Sequence, residues 1–176
     1  AYGIARGAGA TSNLSYTITF NDVTASAEMM KGAGTDRSYG VKYTGVEGLT
    51  IVAGQSDINP GNVAGETQET TFGASYSAAG ATIAYQVTDI DYPAANAADE
   101  DSTHIGASFA VNDDLSVSYA TQTTDITGKG EDETVSGFGI SYSMGSMSVA
   151  AYAGKTENGN GVSTADDEGK GLTLSI

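Results

Sequence analysis

Residues 13–21 read N-L-S-Y-T-I-T-F-N, with Leu14, Tyr16, Ile18 and Phe20 on one parity and Ser15, Thr17 and Thr19 on the other. A period of two sends these two sets to opposite faces of a β-strand. The pattern returns in ten more stretches: 23–31, 37–44, 49–56, 68–78, 81–90, 103–111, 115–124, 133–144, 146–156 and 170–176. Almost the whole chain is committed to strands. Only in 147–153, where small and apolar residues sit on both parities, is the alternation unclear, and the face of Tyr152 stays open there.

The connections alternate as well. Asn21-Asp22, 45–48, Ala79-Gly80, Asn112-Asp113-Asp114 and Gly145-Ser146 are short; 32–36, 57–67, 91–102, 125–132 and 157–169 are long. Up-and-down strands with short turns at one end and long loops at the other are the pattern of an outer-membrane β-barrel. One parity collects Leu, Ile, Val, Phe, Tyr and Ala; the other is mostly Ser, Thr, Gly and Gln. In a soluble sandwich the apolar set would fill a core. In a membrane barrel it faces lipid and the polar set faces water. Parity does not separate the two, but aromatic placement does. Phe20, Tyr43, Tyr76, Phe109 and Tyr142 each lie just before a short turn, as an interfacial girdle requires.

Composition agrees. The 176 residues contain no run of about 18 apolar residues, so no transmembrane helix is expected. A barrel strand needs only about 9–11 residues, with every second one facing lipid. There is no Cys, which excludes disulfides, thiolate metal sites and Cys nucleophiles. Twenty-two acids against 7 bases leave a net charge of −15, which argues against nucleic-acid binding and favours cations. His104 is the only histidine, so a His-pair metal site is excluded, and no phosphate-binding loop is present. The chain reads as a non-enzyme.

Three segments carry a family resemblance: S-Y-G-V-K-Y-T-G-V-E-G-L-T-I at 38–51, F-G-A-S-Y-S-A-A-G-A-T-I-A-Y at 72–85 and F-G-I-S-Y-S-M-G-S-M-S-V-A-A-Y at 138–152. Each looks like a hairpin of the general diffusion porins of Gram-negative bacteria, alphaproteobacterial type. The resemblance is distributed over residues 13–176 and rests on no single motif. It implies a transmembrane antiparallel up-and-down β-barrel of the outer membrane, with eleven to twelve strands present of sixteen. It also implies a homotrimer, an inward constriction loop whose tail would be residues 1–12, and a barrel domain over 13–176 incomplete at both ends. The family ends on an aromatic, whereas this chain stops at Ile176. The alternative is that 2–8 is itself a strand, giving a small 12-stranded barrel.

For such a pore the chemistry is the electrostatics of the lumen. Glu28, Lys42, Glu69, His104 and Glu133 fall on the polar parity, and Arg6 falls in the presumed loop tail; these are the candidate pore-lining residues. Asp89, Asp91, Asp99, Glu100 and Asp101 crowd around one long loop. They are candidates for Ca²⁺ or Mg²⁺, which take oxygen ligands, although acidic loops are also simply soluble. No other cofactor is expected. The expected function is passive diffusion of small hydrophilic solutes and ions with mild cation preference, among outer-membrane lipid and lipopolysaccharide. The competing class is a surface β-scaffold or adhesin that presents acidic loops without a channel.

Overall fold

The structure, a computed structural model, describes residues 12–31, 35–59, 65–93 and 98–175. It contains eleven strands: β1 (Ser12–Phe20), β2 (Val23–Lys31), β3 (Thr35–Tyr43), β4 (Leu49–Ile58), β5 (Thr67–Ala78), β6 (Ala81–Asp91), β7 (Glu100–Ala110), β8 (Leu115–Ile126), β9 (Glu133–Met144), β10 (Met147–Glu157) and β11 (Asp167–Ser175). A short 3-10 turn, Gly159–Gly161, is the only helical element among the described residues. The strands form one sheet in chain order. The all-β, antiparallel up-and-down expectation is what the structure has. Residues 1–11, with the loop tail, the alternative strand at 2–8 and Arg6, lie outside the described residues.

Contacts divide the chain into two compact units, Ala1–Ala74 with Gln86–Asp101, and Ser75–Tyr85 with Ser102–Ile176. In the first, Ile18 pairs with Ala25, Ala25 with Val41 and Val41 with Ala53, making one apolar row. The neighbouring row is Thr17, Ser26, Gly40 and Gly54. In the second unit Val117, Ile140, Ala151 and Leu172 share an apolar row, and Ser116, Ser141, Ala150 and Thr173 a small and mostly polar one. Directly opposed residues point to the same face, so each unit is apolar on one side and polar on the other.

This sheet has no ordinary core. Val52 is the one buried apolar side chain among the described residues, at 5% exposure. The other buried side chains are polar: Asp36, Ser38, Ser56, Thr71 and Thr124. The large apolar residues lie open, Leu14 and Leu172 at 73%. A sandwich buries this set; here it is offered to the surroundings, which removes the sandwich reading. Phe20, Tyr76, Phe109 and Tyr142 are exposed beside the short turns, and Phe20 and Tyr43 flank Val23 in one row.

Pairing runs past the expected strand ends, mainly on the long-loop side. β3 starts at Thr35 rather than 37, β4 ends at Ile58 rather than 56, β7 starts at Glu100 rather than 103, β8 ends at Ile126 rather than 124, and β11 starts at Asp167 rather than 170. The added residues are largely polar or charged. Backbone pairing does not need an apolar face, whereas the alternation read from sequence ends where the apolar residues end. Side chains help hold these extensions: Asp36 Oδ1 accepts from the Asn59 amide at 2.9 Å, and Gln68 Nε2 donates to Asp57 Oδ1 at 3.1 Å.

Tight turns require left-handed backbone. Asn21 (φ 50°) and Gly145 (φ 62°) suit it, but Ala79 (φ 49°), next to Gly80 (φ 79°), does not. Left-handed backbone costs an L-residue roughly 1–2 kcal/mol, less for Asn. Ala79→Asn is therefore expected to stabilise the protein by about 0.5–1 kcal/mol, and Ala79→Val to destabilise it. Urea midpoints of the protein in lipid vesicles test both.

Candidate functional site

The polar faces hold the candidate site, and hydroxyl pairs across neighbouring strands build them. In the first unit Thr19 meets Thr24 at 3.0 Å and Thr71 meets Thr88 at 3.1 Å, with Gln86 Nε2 donating to Thr88 Oγ1 at 3.2 Å. In the second, Ser77 meets Thr82 at 2.8 Å and Ser102 meets Thr124 at 2.9 Å, with Gln122 Nε2 donating to Thr124 Oγ1 at 3.1 Å. Each pair satisfies polar groups along the wall and keeps the face small and hydroxylated.

Glu28, Lys42 and Glu69 stand on the polar face of the first unit. Glu28 is half-buried in the row Ser15–Glu28–Ser38–Ser56. Lys42 is exposed in the row Thr19–Thr24–Lys42–Val52. Lys42 and Ser38, the residue opposite Glu28, are four residues apart on β3. At about 3.4 Å per residue that separates the rows by about 14 Å, so Glu28 and Lys42 are not a pair. Glu69 shares the parity of Thr71 on β5.

His104 and Glu133 stand on the polar face of the second unit. His104 shares the parity of Ser102, and Glu133 lies opposite Thr124. Glu133 Oε2 also accepts from the Asn160 amide at 2.6 Å, which ties it to the 3-10 turn.

Of the acidic residues expected to hold a metal, Asp91, Asp99 and Asp101 all lie near enough to Asp89 for their charges to act on it. Asp89 and Asp101 lie side by side. Both lie on the opposite parity to Thr88 and Ser102, as does Asp91, so they belong to the apolar side of their strands, at the loop end. Asp99 Oδ1 accepts from the Tyr92 amide at 2.9 Å, and Glu100 Oε1 from the Tyr92 hydroxyl at 3.5 Å. Among the described residues no three acidic or histidine side chains come together to hold an ion.

The register answers the question left open at 147–153. Tyr152 lies in the row Ser118–Gly139–Tyr152–Gly171 and is therefore on the polar face. A Cβ on Gly171 would strike the Tyr152 ring, so the ring extends over that glycine. The apolar faces carry shallow grooves over small residues instead. One of about 620 Å³ runs over Ala25, Ala27 and Ala53, and one of about 520 Å³ over Ala151 and Ala153. At the loop end of the second, Lys155 Nζ meets Glu157 Oε1 at 2.7 Å.

Comparison with known proteins agrees with this two-faced sheet. A family model described as Gram-negative porin matches residues 1–162. A solved porin superposes with TM-score 0.73 at 16% identity, over 92% of this chain and 60% of that one. In vitro folded OmpT of Vibrio cholerae, in a trimer form, gives TM-score 0.65 at 17% identity, over 94% and 64%. The NanC porin gives 0.57 at 11%, over 93% and 91%. At such identities the likeness shows the fold, a porin β-barrel. The chain spans between 54% and 64% of the length of the OmpT and porin chains it matches. The comparison with curated proteins gives no match.

The two faces should respond oppositely to charge. Phe72→Arg or Ile140→Arg is expected to cost about 2–4 kcal/mol in a bilayer near the midplane. Ser75→Arg or Ser118→Arg is expected to be nearly neutral. Unfolding free energies in lipid vesicles measure the difference; equal costs on both faces would contradict the assignment.

Proposed function

The chain belongs to the Gram-negative porin family, and from that premise we propose that it walls a water-filled channel for passive diffusion of small hydrophilic solutes and ions. It is a protein of the bacterial outer membrane. The observation that carries the proposal is the contrast between faces: exposed Leu, Ile, Phe and Tyr on one, and Ser, Thr, Gly and Gln on the other. A scaffold barrel fills its interior with larger side chains; a polar face of small residues leaves room for water. Such a channel needs no catalytic step.

The long loops are taken to be extracellular and the short turns periplasmic, as in bacterial barrels generally. A homotrimer is proposed by analogy with OmpT, which has been solved in a trimer form. Outer-membrane lipid and lipopolysaccharide would surround the apolar face.

Mild cation selectivity is proposed from charge. The net charge is −15, and Glu28, Glu69 and Glu133 outnumber Lys42 and Arg6 among the candidate wall residues. Fixed negative charge enriches cations near the wall, and 0.1 M salt screens it over about 10 Å. Reversal potentials across planar bilayers under a salt gradient are expected to favour cations in dilute salt and to lose that preference as salt rises. Lys42→Glu should strengthen it. Asp99→Asn should weaken it while keeping an acceptor for the Tyr92 amide. Anion preference in dilute salt would overturn the reading.

A further inference from the structure

Tyr152 is out of character with its surroundings. It stands on the polar face of the second unit with 60% of its surface exposed. Its neighbours on that face are Gly139 and Gly171 directly opposite, Gly137, Ser141, Gly169 and Thr173 diagonally, and Ala150 and Gly154 along β10. Five of the eight are glycine and none carries a charge. The ring occupies the space that a Gly171 side chain would need. It therefore rests against backbone on one side and is open on the other.

An aromatic face is electron-rich and attracts the weakly positive hydrogens of C–H groups. A cation would also be attracted, but no carboxylate stands among the eight neighbours to hold it there. Hydroxyls do: Ser118 lies in the same row, and Ser141 and Thr173 lie diagonally. A flat apolar face bordered by hydroxyls is complementary to a pyranose ring, which has a C–H face and a hydroxylated rim. Resting on glycine, the aromatic ring also projects little into the passage.

We propose that Tyr152 is a stacking platform for neutral sugars on the channel wall, a weak site that favours saccharides over other uncharged solutes of equal size. This rests on the channel reading above and names a solute class for it.

The test uses the full-length protein in planar bilayers, with maltose as the probe and a polyethylene glycol of similar hydrodynamic size as the control. Maltose is expected to reduce the ion current in a saturable way. Tyr152→Ser should raise the half-blocking maltose concentration about tenfold, equivalent to about 1.4 kcal/mol. Tyr152→Phe keeps the ring and should stay within about threefold. Exclusion of the glycol should be the same in all three proteins. Heat-modified migration on gels verifies that each variant is folded.

An unchanged half-blocking concentration in Tyr152→Ser would overturn the proposal. So would parallel changes for maltose and glycol, which would make the ring a steric or structural cover for Gly171. A wild-type channel that conducts but ignores maltose would overturn this proposal and leave the channel reading intact. Absence of conductance would overturn both.

Discussion

A peptide group in hydrocarbon has no water to bond, so a chain that crosses a bilayer as strands must pair its N–H and C=O groups with neighbouring strands. That requirement governs this protein. It accounts for eleven strands in chain order, because an antiparallel neighbour joined by a tight turn supplies partners at the smallest loop-closure cost. It accounts for the scarcity of proline, two residues in 176, since proline removes a donor from the ladder. Pairing also continues into polar segments such as Glu100–Ser102 and Asp167–Gly169, where the ladder persists although no apolar face remains.

With the backbone satisfied by the ladder, side chains are free to meet different solvents on the two faces. Register does the sorting. A slip of one residue in the β1–β2 pairing would carry Ile18 and Tyr16 to the face of Thr17 and Thr19. The turns at Asn21-Asp22, Ala79-Gly80 and Gly145-Ser146 pin that register with positive φ, and the Thr19–Thr24 and Ser77–Thr82 pairs reinforce it close to the turns. The proposed function follows from the same sorting: in a channel walled by this face, small hydroxylated residues would leave room for water and the few charges would set the field.

The fold was legible because a period of two maps directly onto two faces; nothing distant had to be known to place Leu14, Ile18 or Phe20. The candidate site was less legible. Parity located Glu28, Lys42, Glu69, His104 and Glu133, but could not say that Glu28 and Lys42 sit rows apart or that Glu133 also holds the Asn160 amide. The acidic group at 89–101 read as one cluster because its members are close in sequence. Strand pairing adds what spacing could not give: Asp89 stands beside Asp101, and Asp99 and Glu100 also hold Tyr92.

Tyr152 marks the boundary most clearly. Its own segment, Met147–Glu157, has small or apolar residues on both parities, so no local period assigns its face. The strand pairing does, because Gly139 and Gly171 oppose it and backbone geometry forces opposed residues to the same side. The sequence by itself determined the eleven alternating stretches, the turn positions and the chemical character of the two faces outside 147–153, all of which depend on neighbours within a few residues. Only the tertiary structure decided register across strands, where pairing continues past the apolar stretches, and what surrounds each wall residue. Those depend on contacts between residues far apart in the chain, and hydrogen-bond geometry sets them.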